Sequence, residues 1–389
     1  MSSWRTGHFK HLQVYNCKFY GRIVNMKTKE VREVFSRRLQ QARLMKGLSL
    51  RQLSVAAEGQ ISHNALAKYE GAVMLPDSKI LITLAKALAQ PTDFFFRPFT
   101  VHVGAVHFRK KARLSEKRSK ALRELSTSAL ERYREIEELT GDVRQFTPLF
   151  KSETIRKAEE GEELASRTRK AWNLGDDPIP NIHELLEGKG IKVVEITEGN
   201  SAFDGLSAST DVGPFIVLAS HLNKNIPRKR LTAAHELAHV LLPVSMNMGE
   251  KEEESLAYRF AGAFLMPADS FTAAFGQHRT GLSLGELLAL KMRFGASMWA
   301  IMKRAQQLKL ISEHTYRQFC IYANGNHWKT NGEPGDEKFQ GMEDDCRYKQ
   351  LVLRAVAEDL ISASKGAALL NCPLDDFRKD FREIVTEGA

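Results

Sequence analysis

No stretch of this sequence approaches the ~20 consecutive apolar residues of a bilayer span, so no transmembrane helix is expected. Cysteine is scarce. Cys17, Cys320, Cys346 and Cys372 lie too far apart for a CxxC pair, which excludes a disulfide scaffold and leaves four thiols read as free. The first residues, MSSWRTGHFKHLQV, contain neither the continuous apolar segment of a secretory signal nor a small-residue cleavage site, so the expected location is the cytoplasm. What is present is ordinary globular material, 43% hydrophobic and 27% charged, which excludes wholesale disorder and fibrous repeats. At 389 residues the chain exceeds what one core usually serves, and two or three domains are expected.

The net charge of +10 is unevenly spread. Residues 1–150 hold 27 Lys and Arg against 13 Asp and Glu, whereas residues 151–389 hold 30 against 34. A basic front on a near-neutral body implies a polyanionic partner for the first part and different work for the second.

Residues 1–30 show no sustained periodicity and are expected to form a disordered arm. Residues 31–96 contain four short amphipathic segments separated by turn signals, the pattern of an all-α domain. Residues 97–150 combine a basic run, 107–120, with a long helix expected over 114–140. The run has two readings, a solvated helix surface or a phosphate contact. The helix carries Leu122, Leu125, Ala129, Tyr133 and Ile136 at spacings of three and four. That stripe is either core or the seam of a homodimer, since a lone helix between domains has little to pack against. From 151 to 312 the pattern is mixed: a helix over 154–172, another over 181–188, strands at 191–196 and 214–220, and a helix opened by Pro227. The Gly/Asn/Pro/Asp-rich stretch 324–341 reads as a loop or linker. Residues 313–389 are thus a loop and helical C-terminal region, whose last fifty residues are either a helical cap or a second helix-turn-helix.

Within the first domain, segments 50–57 and 62–69 are joined by a Gly-containing turn, a helix-turn-helix arrangement. The second helix would enter the major groove by its amino-terminal end, with Ser62 as cap and His63, Asn64 and Lys68 as contacts. Arg43, Lys46, Arg51 and Gln52 are natural phosphate partners. Residues 31–96 resemble the XRE-type, phage-repressor-like DNA-binding domain through Ala42-Arg43, Leu48-Ser49, Leu53, Ile61-Ser62, Leu66, Tyr69-Glu70-Gly71, Pro76 and Leu84-Ala85-x-Ala87-Leu88. The turn before Ser62 is about two residues longer than that resemblance leads one to expect.

In the middle of the chain stands Thr232-Ala-Ala-His235-Glu236-Leu-Ala-His239. On a helix, positions i and i+4 share a face, so both imidazoles can meet one Zn²⁺ while Glu236 reaches the adjacent water and takes its proton. The competing reading is a structural helix whose histidines are satisfied by hydrogen bonds. A catalytic zinc normally has a third protein ligand. Counting by three and four from Glu254 gives Ala257, Ala261 and Leu265, which places Glu254 on the buried stripe of the next helix and leaves Glu250, Glu252 and Glu253 to solvent. His221, Arg230 and Tyr258 are alternative donors to a reacting oxyanion.

These residues resemble the ImmA/IrrE zinc metallopeptidases. The likeness runs through Phe203-Asp-Gly-Leu-Ser207, Ile216-Val-Leu218, Arg228-x-Arg230-Leu-Thr232, the His-Glu-x-x-His segment, and Glu254-x-x-Ala257-x-x-Phe260-Ala261-x-x-Phe264-Leu-Met-Pro267. It implies His235, His239 and Glu254 as zinc ligands and Glu236 as general base. The expected fold is therefore multidomain and mainly α: an N-terminal helix-turn-helix domain, an α+β zincin-like metallopeptidase domain and a helical C-terminal region. The expected function is a homodimeric transcriptional regulator that binds a double-stranded DNA operator and cleaves a protein substrate, such as a repressor-type regulator. The alternative is a DNA-binding regulator or antitoxin-like protein whose peptidase-like domain is a non-catalytic sensor or scaffold.

Overall fold

The structure is a computed structural model that describes residues 28–101, 115–150, 154–197, 203–211, 213–242, 248–277, 279, 281–339, 341, 343 and 346–386. The arm expected over 1–30 lies outside the described residues except for 28–30, and so does the larger part of the basic run 107–120. The protein is mainly helical, and it divides into two compact units that do not follow chain order. One contains the described residues up to 101, those of 115–142, and 350–386. The other contains those from 143 to 349.

In the first unit, α1 (Thr28–Met45), α2 (Leu50–Ala56), α3 (His63–Glu70) and α4 (Ser78–Leu88) close over Phe35, Leu39, Leu53, Leu66, Leu84 and Leu88, all fully buried. Helix starts are set locally. Ser49 and Gln52 form a reciprocal capping box, Ser62 accepts from the Ala65 amide, and Asp77 accepts from that of Ile80. Helix α1 begins at Thr28, so residues 28–30 belong to the bundle and not to an arm. Between α2 and α3 the chain passes through two consecutive left-handed residues, Glu58 and Gly59, which accounts for the long turn.

Helix α5 (Glu116–Thr140) corrects one expectation. Leu122, Tyr133 and Ile136 are fully buried within the chain, Ala129 nearly so and Leu125 partly, so the stripe is core and little of it is left for a dimer seam. Helix α1 packs on α5, and buried Arg38 locks that joint. Its guanidinium pairs with both carboxylate oxygens of Glu131, at 2.6 and 3.1 Å, and donates to the carbonyls of Arg97 and Pro98. Periodicity revealed the stripe but not the surface that covers it.

The second unit contains α6 (Gly161–Ala171), α7 (Ile182–Gly188), β1 (Lys192–Ile196), β2 (Gly205–Thr210), β3 (Gly213–Ala219) and α8 (Ile226–Leu241). It continues with α9 (Glu250–Leu265), α10 (Ala268–Phe275), α11 (Leu284–Phe294), α12 (Met298–Gln307), α13 (Glu313–Gly325) and α14 (Trp328–Asn331). The helix expected over 154–172 is shorter than its pattern, because its first turn is a 3-10 turn at Ala158–Glu160. The sheet has the order β1-β3-β2, with β1 parallel and β2 antiparallel to the buried central strand. Strand β2 was not expected from its small polar residues. It packs on α8 at a distance only glycine permits: a Cβ at Gly205 would lie 2.8 Å from the Thr232 methyl and 3.3 Å from Glu236 Cγ. Helix α9 lies between α8 and α6, and Gly161 opens α6 against it, since a Cβ there would meet the Leu256 carbonyl at 2.8 Å.

Residues 324–341 do not form a linker. Helix α13 runs to Gly325, α14 follows, and the turn-rich segment after it carries acids into the core. Glu333 and Asp336 pair with Lys291, whose side chain is fully buried, and Glu333 also accepts from the Met298 and Trp299 amides that open α12. Glu343 pairs with Arg230, both of them buried. Turn-forming composition was read correctly, but the buried cations these acids neutralise lie more than forty positions upstream.

Helices α15 (Cys346–Ala357), α16 (Ala363–Leu370) and α17 (Leu374–Thr386) complete the chain. Residues 350–386 thus part from the 313–349 segment with which the sequence grouped them and join the first unit. There α16 docks on α5 through Lys365 to Glu135, 2.7 Å, and Arg132 to the Leu369 carbonyl.

Candidate metal centre and helix-turn-helix surface

Helix α8 is built to hold side chains in fixed register. Asn225 caps it on the Arg228 amide, Pro227 occupies its first turn, and no breaker follows before Leu241. His235 and His239 therefore emerge one turn apart, with side chains only 5% and 7% exposed. Their Nε2 atoms lie 3.2 Å apart. Glu254, from the second turn of α9, brings Oε2 to 3.5 Å from His235 Nε2 and Oε1 to 3.5 Å from His239 Nε2.

Those three separations test whether a metal fits. Four-coordinate zinc with ligand bonds of about 2.0–2.1 Å sets neighbouring donor atoms about 3.3 Å apart. The 3.2 Å between the two Nε2 atoms, and the 3.5 Å from each of them to one oxygen of the Glu254 carboxylate, lie close to that spacing. Hydrogen bonding to the two histidines holds the Glu254 carboxyl well below the usual range, so it is an anion at neutral pH. No other group of three or more His, Cys, Asp or Glu converges in this way among the described residues.

Glu236 is next to the first histidine and is buried. Its Oε2 accepts a hydrogen bond of 2.8 Å from Ser207 Oγ on β2. A carboxylate fixed beside a His-His-Glu donor set, under the edge of a small sheet, is placed to take a proton from a water polarised by a metal there.

Residues 186–306 match the IrrE N-terminal-like domain family, Peptidase_M78. The match begins in α7, contains the whole sheet with α8 and α9, and ends within α12. It supports the ImmA/IrrE half of the resemblance; the front helices lie outside it. Members of the family are zinc metallopeptidases, which supports zinc as the metal in general. No curated protein matches the chain at a significant level.

Around this centre the three oxyanion candidates separate. Arg230 is 1% exposed, paired with Glu343 and bonded to the carbonyls of Ile179 and Pro180, so it serves the core. His221 lies 3.4 Å from Asp204, which also holds Arg228 at 2.7 Å. Tyr258 is half exposed, and its ring centroid lies 4.3 Å from that of His235. Burial raises its phenol pKa, and the nearby carboxylates of Glu254, Asp204 and Glu236 raise it further, so the hydroxyl stays protonated as a donor.

The acidic run also needs correction. Glu250 and Glu252 are exposed as expected, but Glu253 is not a solvent residue. Its side chain is 18% exposed, and Oε1 lies 3.6 Å from His239 Nδ1. Sequence reasoning missed both Ser207 and Glu253. A serine on a short strand carries no spacing signal, and Glu253 is hidden among four glutamates within five residues.

In the first unit, Lys46, Arg51, Gln52, Ser62, His63, Asn64 and Lys68 are all exposed. Two of these have local duties: Gln52 closes the α2 capping box, and Ser62 caps α3. Arg43 is a correction. Its guanidinium forms two bonds with Glu70, at 2.6 and 2.7 Å, and one with the Leu48 carbonyl, which occupies it inside the bundle. An arginine closing a helix C-terminus onto a partner glutamate is indistinguishable in sequence from one aimed at phosphate. Among the described residues no helix is long and apolar enough to cross a membrane.

Proposed function

We propose that this protein is a DNA-binding transcriptional regulator whose M78 domain is a zinc endopeptidase acting on a regulator protein. The observation that carries the enzymatic part is the trio of donor separations, 3.2, 3.5 and 3.5 Å, with Glu236 fixed beside them. His235, His239 and Glu254 would hold the ion. Zinc supplies Lewis acidity toward a peptide carbonyl and acidifies water near neutrality. Glu236 accepts the proton of the attacking water and returns it to the leaving amine, with Ser207 fixing the carboxylate between the two transfers. Tyr258 presents a protonated hydroxyl at the same mouth for the substrate oxygen.

The DNA-binding part rests on the capped α2–α3 pair and the exposed Lys46, Arg51, His63, Asn64 and Lys68 on or beside it. Helix α3 reads base edges with its first turn while the lysines and arginine neutralise phosphates. A homodimer reading two half-sites about 34 Å apart belongs to this proposal, with a seam other than the buried α5 stripe.

The test treats a lysate of the host with zinc-loaded protein and maps new peptide termini by labelling. Fragments made by the wild type and absent with Glu236→Gln at equal zinc content are expected. Identical termini from both chains, or none from either, would remove the peptidase assignment and favour a sensor domain.

A further inference from the structure

A metal-binding histidine has two ring nitrogens, and the one that does not bind must keep its proton and point it at something. In the M78 domain Nε2 of His239 faces His235 and Glu254, which leaves Nδ1 to carry the hydrogen. Facing that atom at 3.6 Å is Oε1 of Glu253, on the side chain directly before the third ligand. The carboxylate is mostly withdrawn from solvent, unlike Glu250 and Glu252 on the same turn.

We infer that Glu253 is the positioning residue of the metal centre: on metal binding its carboxylate accepts a hydrogen bond from the Nδ1–H of His239, fixes the ring tautomer with Nε2 free for zinc, and sets the ring plane. The inference rests on the zinc reading of the same site. It gives the N-terminal turns of α9 two distinct tasks in adjacent residues, Glu254 binding and Glu253 orienting. It also explains why α9, which has no side-chain cap at Gly249, begins with an acidic turn whose members differ so much in exposure. A simpler role is available, since any carboxylate in a first helical turn favours the positive end of the helix. That role makes no distinction between Glu252 and Glu253, and the distinction is measurable.

The experiment measures zinc affinity of the full chain by competition with a chelating dye, alongside the visible spectrum of the cobalt(II)-loaded protein. Glu253→Gln is expected to bind one metal with affinity lower by about 10–100-fold and with a shifted cobalt spectrum. Glu252→Gln, the helix-dipole control, is expected to match the wild type in both. Equal affinities and spectra for all three chains would overturn the inference, as would equal losses in both variants. If Glu253→Gln fails to fold, the comparison passes to Glu253→Asp against Glu252→Asp, with loss expected only in the former and parity overturning the assignment. A wild-type chain that binds no zinc would instead overturn the metal reading itself, and this inference with it.

Discussion

The candidate metal centre and the proposed DNA-facing surface of the first unit place their residues in opposite environments. The side chains of His235, His239 and Glu236 are largely withdrawn from solvent, and with Glu254 they converge from two helices, beside Ser207 on β2. Lys46, Arg51, His63, Asn64 and Lys68 are exposed, and no geometry among themselves defines them. A metal site carries its specification inside the chain, because its ligands must meet at fixed distances whether or not anything else is present. A DNA-reading surface is specified by a duplex outside the chain. What appears within it is therefore the scaffold: caps, a left-handed turn and a packed core. Changes in the first region should act through folding and metal, and changes in the second through affinity alone.

The largest break is expected where charge is most deeply buried. Glu343→Ala leaves Arg230 an uncompensated cation inside the second unit, at a cost of about 3–5 kcal/mol. Calorimetry of the full chain should show an early transition, with salt-dependent DNA binding by the first unit retained. Loss of both together would mean that the two regions do not behave independently.

Arg43→Ala should cost about 3 kcal/mol, since the side chains of Arg43 and Glu70 are only 12% and 9% exposed. It marks the boundary of the comparison: a basic residue within the proposed DNA-reading bundle that belongs to its folding. If Arg43→Ala instead left melting unchanged and weakened DNA binding, the phosphate role would be restored.

His183 sharpens the contrast by pH. Burial lowers its pKa from 6.5 to about 3, and the charges of Lys229 and Arg230 add to the effect. The folded state therefore holds a neutral ring that the unfolded state protonates below 6.5. Stability from this group is complete above pH 6.5 and is lost as pH falls toward 3, amounting to roughly 2 kcal/mol by pH 5. Melting curves at pH 7 and 5 should show a smaller acid loss for His183→Gln than for the wild type. Equal losses would remove His183 as a source of acid sensitivity.

Smallest in folding terms is Lys68→Ala, expected to change stability by less than about 0.5 kcal/mol. Its effect belongs to binding: the slope of log affinity against log salt should fall by about 0.9. An unchanged slope would place Lys68 off the phosphate path.

The sequence was most legible where spacing itself is the geometry. His235 and His239 are four apart on a breaker-free helix, which puts them on one face, and there their Nε2 atoms come to 3.2 Å. Counting along the apolar stripe of α9 leads to Glu254, which does meet the two histidines, although its side chain is 35% exposed against 18% for Glu253. Glu253 could not be found this way, since an adjacent helical position still reaches a neighbouring helix when its partner is a wide imidazole. Strand β2 escaped because its residues, Gly-Leu-Ser-Ala-Ser-Thr, are placed by a close approach to α8 and not by hydrophobic alternation. The α5 stripe and the acids of 333–343 were visible, but their partners lie far away in the chain. Arg38, Lys291 and Arg230 show their roles only once the fold brings those partners in.

The most direct test of the account is the zinc content of purified full-length chains. About one zinc per chain is expected in the wild type and in Glu236→Gln, with almost none in His239→Ala and a strong reduction in Glu254→Ala. Full zinc occupancy in His239→Ala would contradict the site, whatever the protein is found to cut or bind.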